Sequence, residues 1–532
     1  MDHKAQYLSY ASTGSFSKII IDYLEGKEQL KPFYTHSPSL EGIKAAIEER
    51  KKYPTNRELL VNSLQQQYAN EQLSAKQQKN IQQLVNANCF TVTTAHQPNI
   101  FTGHLYFMHK ILHAIKLAAQ LGKELPGNDF VPVFYMGSED ADLEELGHIY
   151  LFGEKYEWKT NQAGAVGRMK VDKALVKLID NISGQLTVYS FGEGLINLMR
   201  TCYKEGTTIE QATFKLINEL FGEYGLIVLL PDNAALKTSF IPIAEKELTE
   251  GFSYKAVEET AAKFPKEYKV QAAGRELNLF YLTDEKRERI EKVNGQWSIV
   301  NGREKFSEKE IIRELHDHPE RFSPNVILRP VYQEMILPNI AFIGGGGEIA
   351  YWLELKRVFE GVKVPFPVLV LRNSFMVVEK ENVVLLKKLG FAVTDLFRDE
   401  VELINELVKR ETGVRLSLDK EKNVVKEFYQ QLKNTAGVVD STLERHTEAL
   451  QALALKKIEA LEKKMLRAEK KKFEAQQRQL QKLRSKLFPG KVLQERIENF
   501  MPFYAKWGKE IVSLIFENSL GLEQQFCILE ED

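Results

Sequence analysis

The sequence predicts an α/β fold with a parallel-sheet core, broken by insertions and followed by a long helix. Three observations predict it. The β-branched and aromatic runs CFTVTTAH and FVPVFYMG flank the amphipathic stretch LYFMHKILHAIKLAAQL, the strand-helix-strand order of a βαβ unit. Further buried-strand runs, GLIVLLP and PVLVLRNS, lie far downstream beyond polar stretches, and a block of glycines, Gly344 to Gly347, stands where a strand should turn into a helix. From Leu443 to Leu487 there is neither proline nor glycine, and lysine, glutamate, glutamine and leucine dominate.

Residues 1–84 read as a helical segment joining the core, with Leu59, Leu60, Leu64 and Leu84 among glutamines and charges, and 85–163 as the first part of the core. Residues 164–224 read as a helical insertion, 225–251 as a core strand and helix, and 252–323 as an α+β insertion with hairpins at the Asn-Gly pairs of Asn294 and Asn301. The core resumes over 324–440. One long coiled-coil helix follows over 441–490, with Leu466, Phe473, Leu480 and Leu487 every seventh residue and Ile458, Leu461, Met465 and Ala468 on a neighbouring stripe. Pro489-Gly490 ends it, and 491–532 reads as a helical tail. The seam asks for a partner, within the chain or in a second copy.

Lysine plus arginine (72) and aspartate plus glutamate (73) nearly cancel, so no overall field draws the chain to nucleic acid or anionic lipid. Cys89, Cys202 and Cys527 have neither zinc-site nor disulfide-framework spacing, which fits a reducing cytoplasm. No run approaches the length that spans a bilayer, and the first residues lack the basic and apolar regions of a secretory signal, so a membrane location is not expected.

An open parallel sheet binds ligands outside the C-terminal ends of its strands, and clusters of polar residues fall there. After the first strand come His96, Gln97 and Asn99, then Thr102, Gly103 and His104, with His109 and Lys110 in the helix; a strand end leading into a helix start suits a carboxylate or phosphate. After the second come Ser138, Glu139, Asp140 and Asp142, which suit an amine, sugar hydroxyls or a metal; capping of the next helix serves equally well for Asp142. The third cluster, Gly344, Gly345, Gly346, Gly347 and Glu348 with Tyr351 and Trp352, lets an anionic group approach the backbone, or else is a tight packing turn. Arg329, Gln333, Glu334 and Arg372 are near enough in sequence to line the same crevice. No G-x-S-x-G or cysteine signature points to covalent catalysis.

The segments HQPNIFTGHLYFMHKI, VPVFYMGSEDADLEELGHIY, RELNLFY, RPVYQEMILPNIAFIGGGGEIAYWLELK and PVLVLRNS, in that order and before a coiled coil, closely resemble the BshC family of bacillithiol biosynthesis over nearly the whole chain. The resemblance implies a Rossmann-like, nucleotidyltransferase-like core with inserted connecting domains, a C-terminal α-helical coiled coil, and a homodimer. It implies a ligase that joins L-cysteine to the amine of glucosaminyl-malate in the last step of the pathway. His104, His109 and Asp140 are then the expected catalytic groups, and the other cluster residues, with Gln333 and Arg372, the expected substrate contacts. The core is also similar to that of class I aminoacyl-tRNA synthetases, whose HxGH motif corresponds most nearly to Thr102-Gly103-His104, although Phe101 replaces its first histidine and no KMSKS-like loop follows. ATP is the expected cosubstrate, because amide formation from a free carboxylate is uphill, and no metal is assigned. The other readings are a metal-dependent hydrolase built from His148, Asp140, Asp142 and another histidine, a nucleotidyltransferase, and a non-catalytic coiled-coil adaptor.

Overall fold

The computed structural model describes residues 3–272, 274–302 and 304–532. One unit comprises His3–Met376 and Val492–Leu529, and a second comprises Val377–Lys491 with Glu530–Asp532.

The first unit is built on the expected parallel sheet. Its strands are β1 (Cys89–His96), β2 (Asp129–Met136), β3 (Ile227–Leu229), β4 (Asn339–Gly344) and β5 (Val368–Leu371), in the spatial order β5-β4-β1-β2-β3. All neighbours run parallel, and the register sets His96 opposite Met136 and Gly344 opposite Leu371, so the C-terminal ends form one rim. This is the Rossmann order, with its reversal of direction between β1 and β4. Helix α1 (Tyr106–Glu124) connects β1 to β2, α2 (Arg329–Ile336) precedes β4, and α3 (Gly346–Trp352) follows it. Apolar side chains on one face of the sheet, among them Phe90, Val92, Ile343 and Val370, pack with Ala114, Leu117 and Leu121 of α1 and with Ile43 and Ile47 from the N-terminal helix Leu40–Arg50. Removing that much apolar surface from water is the main force holding the layers together.

The α+β insertion carries an antiparallel sheet whose strands include Leu279–Leu282, Arg287–Val293 and Gln296–Ile299. Val293 pairs with Gln296 around Asn294 and Gly295, both at positive φ (51° and 76°), the two-residue turn that Asn-Gly favours. The strand-like HIYL run lies outside the core sheet and forms its own hairpin, His148–Leu151 with Glu154–Glu157. The two chain ends are not purely helical: strand His3–Ser9 pairs with strand Gln525–Glu531.

In the second unit the expected single helix is divided into Thr442–Lys470 and Glu474–Leu487 by a 3-10 turn at Lys471–Phe473. Its first half pairs antiparallel with Asp419–Val439, a helix that belongs to this unit and not to the core segment 324–440 in which the sequence places it. Ion pairs Lys422–Glu462 (2.6 Å) and Lys433–Glu448 (2.6 Å) fix the register. The seam therefore has a partner within the chain, and only two residues, Asp440 and Ser441, join the two helices. Leu480, Leu483 and Leu487 of the second half are buried.

Candidate active site

A cavity of about 600 Å³ opens at the strand ends where β1 and β4 diverge, the place at which such a sheet binds ligands. Of the residues expected from the sequence, His96, Gln97, Ser138, Glu139, Asp140, Gly345, Gly346, Gly347, Glu348 and Arg372 line it.

His96 Nδ1 is 3.2 Å from the Gln97 carbonyl oxygen, which can only accept, so Nδ1 carries the hydrogen and Nε2, 3.3 Å from the Tyr106 hydroxyl, is the acceptor. Burial, reinforced by the Lys110 ammonium, holds the imidazole well below its usual pKa and keeps it neutral at neutral pH. Gln97 Nε2 donates to Asp140 Oδ2 at 3.0 Å, orienting that carboxylate at the cavity wall. Lys110 is buried and donates to the Ala95 carbonyl and to Glu348 Oε2, both at 2.6 Å, and the same Glu348 oxygen accepts the Gly345 N–H at 2.8 Å. Glu139 is committed to the wall, holding the Lys237 ammonium and accepting from the Ser323 hydroxyl at 3.2 Å. Lys237 also reaches Asp232 (3.3 Å), which Arg168 grips through two nitrogens at 2.7 and 2.9 Å.

The glycine block divides into two roles. A Cβ on Gly344 would stand 2.9 Å from the Phe342 ring, so that glycine serves packing. A Cβ on Gly347 would meet nothing within 4 Å, so there the backbone faces open cavity.

Several expectations are corrected. His104 does not line the cavity: Nδ1 is 3.0 Å from the Ile497 carbonyl, and the ring sits among Tyr106, His148 and Tyr150. The helix start behind it is closed by the chain's own C-terminal return. Leu105 N–H donates to Glu498 O at 2.7 Å, and the Asn499 amide donates to the carbonyls of Phe101 and Gly103. Those bonds also hold Phe101, Thr102 and Gly103 at successive positive φ values of 49°, 66° and 65°, a strained course for the first two. Asn99 and Thr102 are buried beneath this turn, away from the cavity. His109 is fully buried against Glu495. Asp142 accepts from Glu145 N–H at 3.0 Å and caps Leu143–Leu146, the capping alternative.

Gln333 is buried and donates to Glu334 in a network that reaches Arg50 and Asn339, so it braces the packing of α2. Trp352 stacks on Phe342 at 4.1 Å, and Tyr351 lies outside the cavity lining. The metal-dependent alternative loses its ligand set, because His148 Nδ1 binds Glu144 O at 2.8 Å. Among the described residues no group of three or more histidine, cysteine or acidic side chains is placed to hold an ion.

The largest feature missed is an arginine lining. Arg275, Arg287, Arg289, Arg329, Arg372 and Arg496 all face the cavity, and of these the sequence reading named only Arg329 and Arg372. Arg372 is paired with Glu495 at 2.8 Å; the other arginines have no carboxylate within ion-pair distance among the described residues. Arg287 is held by the Ser323 hydroxyl (3.1 Å) and the Pro324 carbonyl (3.2 Å) over the Phe280 ring, while burial pushes its pKa down. Arg287 and Arg289 stand two apart on one strand and so share a face, a signal present in the run RERI. Arg275 and Arg496 gave no such sign. Four carboxylates line the cavity, Glu139, Asp140, Glu145 and Glu348, and Glu139 and Glu348 are already paired with lysines. The net field favours an anion.

The model of the family described as "Bacillithiol biosynthesis BshC, N-terminal Rossmann-like domain" matches residues 3–373, and "Bacillithiol biosynthesis BshC, C-terminal coiled-coil domain" matches 375–531. A relative from Flavobacterium johnsoniae named "Putative cysteine ligase BshC" is 39% identical over 524 residues, covering 98% of this chain and 99% of its own. One of the same name from Flavobacterium psychrophilum is 40% identical over 526 residues, with 98% and 99% covered. Two family models that together span nearly the whole chain and full-length similarity at about 40% identity show that the chain belongs to the BshC family of bacillithiol biosynthesis.

Proposed function

We propose that the protein is a carbon-nitrogen ligase that adds L-cysteine to the amine of glucosaminyl-malate, the last step of bacillithiol synthesis, with ATP as cosubstrate. The observation that carries this reading is the arginine-lined cavity at the strand ends. Glucosaminyl-malate bears two free carboxylates on its malyl end, and unpaired guanidinium groups are the natural receptors for them. Arg275, Arg287, Arg289 and Arg329 would hold that end, leaving the amine towards Asp140, which is oriented by Gln97 and attracts an ammonium. The neutral His96, with Nε2 as acceptor, stands beside it to take a proton as the amine attacks. ATP would supply the activation that a free cysteine carboxylate lacks, by transferring a phosphoryl or adenylyl group to it; as the C–N bond forms, the C–O bond to that group breaks and it leaves with the carboxylate oxygen. The backbone at Gly345 to Gly347 and the Arg372 side chain fit the anionic groups of that half-reaction.

The test is direct. Purified protein incubated with cysteine, glucosaminyl-malate and ATP should form bacillithiol, followed by mass spectrometry. Arg329→Ala should raise KM for glucosaminyl-malate about 10-fold or more, the worth of one charged hydrogen bond, and leave KM for cysteine near its original value. An equal rise in both would overturn the placement of the malyl end.

Two coarser features complete the reading. The protein acts in the cytoplasm, in keeping with three buried, unbridged cysteines; among the described residues no helix is long and apolar enough to cross a membrane. It works as a homodimer joined through its helical hairpin, whose outer face exposes Val424, Phe428 and Leu432 at four-residue spacing.

A further inference from the structure

Arg372 differs from the other arginines of the cavity because its guanidinium is fixed from behind. One terminal nitrogen donates to Asn373 O (3.0 Å) and Ser374 Oγ (3.1 Å), and the other to Glu495 Oε1 (2.8 Å). The Tyr106 ring lies 5.0 Å away against its face. Its Nε–H has no partner among the described residues and lies 3.7 Å from where a Cβ on Gly345 would stand, over the glycine turn.

Glu495 is wholly buried, and its second oxygen accepts from His109 Nδ1 (2.8 Å) and from the Phe375 N–H (3.1 Å). Its three partners thus come from α1 and from the chain just after β5, and Glu495 itself from the C-terminal return. Burying an ion pair costs several kcal/mol per charge, and well-packed apolar groups often serve stability as well or better. Stability alone is therefore a weak reason to bring a carboxylate, a guanidinium and an imidazole together from three distant segments.

We infer that Glu495 is a positioning residue: through Arg372 it aims one N–H at an anionic oxygen lying on Gly345, and His109 braces it from the far side. This rests on the ligase reading for the identity of the anion, though not for the geometry. Without its charge, Arg372 would be free to turn to the cavity carboxylates Asp140, Glu145 and Glu348.

A double-mutant cycle of Glu495→Gln, Arg372→Gln and both tests it, read as kcat and KM for ATP on the full chain and as ATP affinity by calorimetry, with melting temperature followed alongside. If Glu495 acts through Arg372, Glu495→Gln weakens binding about 10-fold or more in the wild type and by less than about 2-fold when Arg372 is already changed. Equal losses in both backgrounds would make Glu495 merely structural and overturn the inference. Should Glu495→Gln fail to fold, Glu495→Asp, which keeps the charge one methylene further back, goes through the same cycle. If the wild type forms no product but binds ATP, the ligase reading fails while the cycle on affinity still decides the positioning role. A wild type that binds no ATP overturns the anion site and this inference with it.

Discussion

At the residue scale, the side chains that face the cavity are those whose neighbours in sequence place them, and those that do not are held by distant chain. His96 ends β1 and Asp140 follows four residues after the end of the neighbouring β2, so their position was legible from strand patterning alone. His104 and His109 looked equivalent to them in sequence, yet Ile497 and Glu495 occupy them, nearly 400 residues away. We therefore expect His96→Ala to lower kcat about 10²-fold, the usual scale for a lost proton acceptor, and His104→Ala to lower activity far less, with a fall in melting temperature instead. The assay is product formation per folded protein. His113 offers a pH signature of its own. It is fully buried, with Nε2 2.7 Å from Gly521 O and Nδ1 accepting from Asn373 N–H at 3.1 Å, and burial lowers its pKa to about 4. Because the folded value lies below the unfolded one of 6.5, the unfolded chain binds the proton first. Stability contributed by His113 is full above about 6.5 and is lost as pH falls towards 4, a loss of about 2 kcal/mol by pH 5. Denaturant titrations at pH 7.5 and 5 should show a smaller difference for His113→Gln than for the wild type by about that amount.

At the scale of elements, the core strands were readable because a strand buried on both faces is a nearly continuous apolar run, and β1, β2, β4 and β5 are that. The glycine turn was readable too, although its division of labour was not, since space around a backbone belongs to the fold. That division predicts opposite outcomes for two neighbouring substitutions. Gly347→Val adds a side chain into open cavity and should abolish anion binding with little change in melting temperature. Gly344→Val forces a Cβ to within 2.9 Å of the Phe342 ring and should destabilise the fold by about 1–3 kcal/mol, the range for overpacking. Thermal melts and ATP calorimetry on the two variants separate the cases. Equal loss of stability would mean that Gly347, too, is there for packing. The helical hairpin shows the limit of pattern reading: heptads revealed a seam, but whether Asp419–Val439 or a second chain filled it depended on a two-residue connection that no periodicity encodes.

For the whole molecule, connectivity matters as much as fold. The chain leaves the first unit after Met376 and returns at Val492, and the returning stretch supplies Glu495, Arg496 and Asn499 to the candidate site and its bracing. Cutting after Asp440 to remove the long helix would also remove these residues and the strand Gln525–Glu531, so such a truncation should give unfolded protein and cannot report on assembly. The proposed homodimer is better tested by charge. Val424, Phe428 and Leu432 are 65%, 54% and 41% exposed along one face of Asp419–Val439, and Leu450 and Leu453 of the paired helix are 41% and 54% exposed. An apolar stripe of this length left in water is unfavourable by roughly 25 cal/mol per Å² and is the kind of surface a second copy covers. Glutamate at both Phe428 and Leu432 should not disturb a hairpin that these residues do not close, but two copies would then bring like charges together at the seam. If the proposal holds, the wild type should sediment as a dimer and Phe428→Glu/Leu432→Glu as a monomer, with an unchanged melting temperature for the first unit; a monomeric wild type would overturn the homodimer. A double variant that sediments like the wild type would place the dimer contact elsewhere.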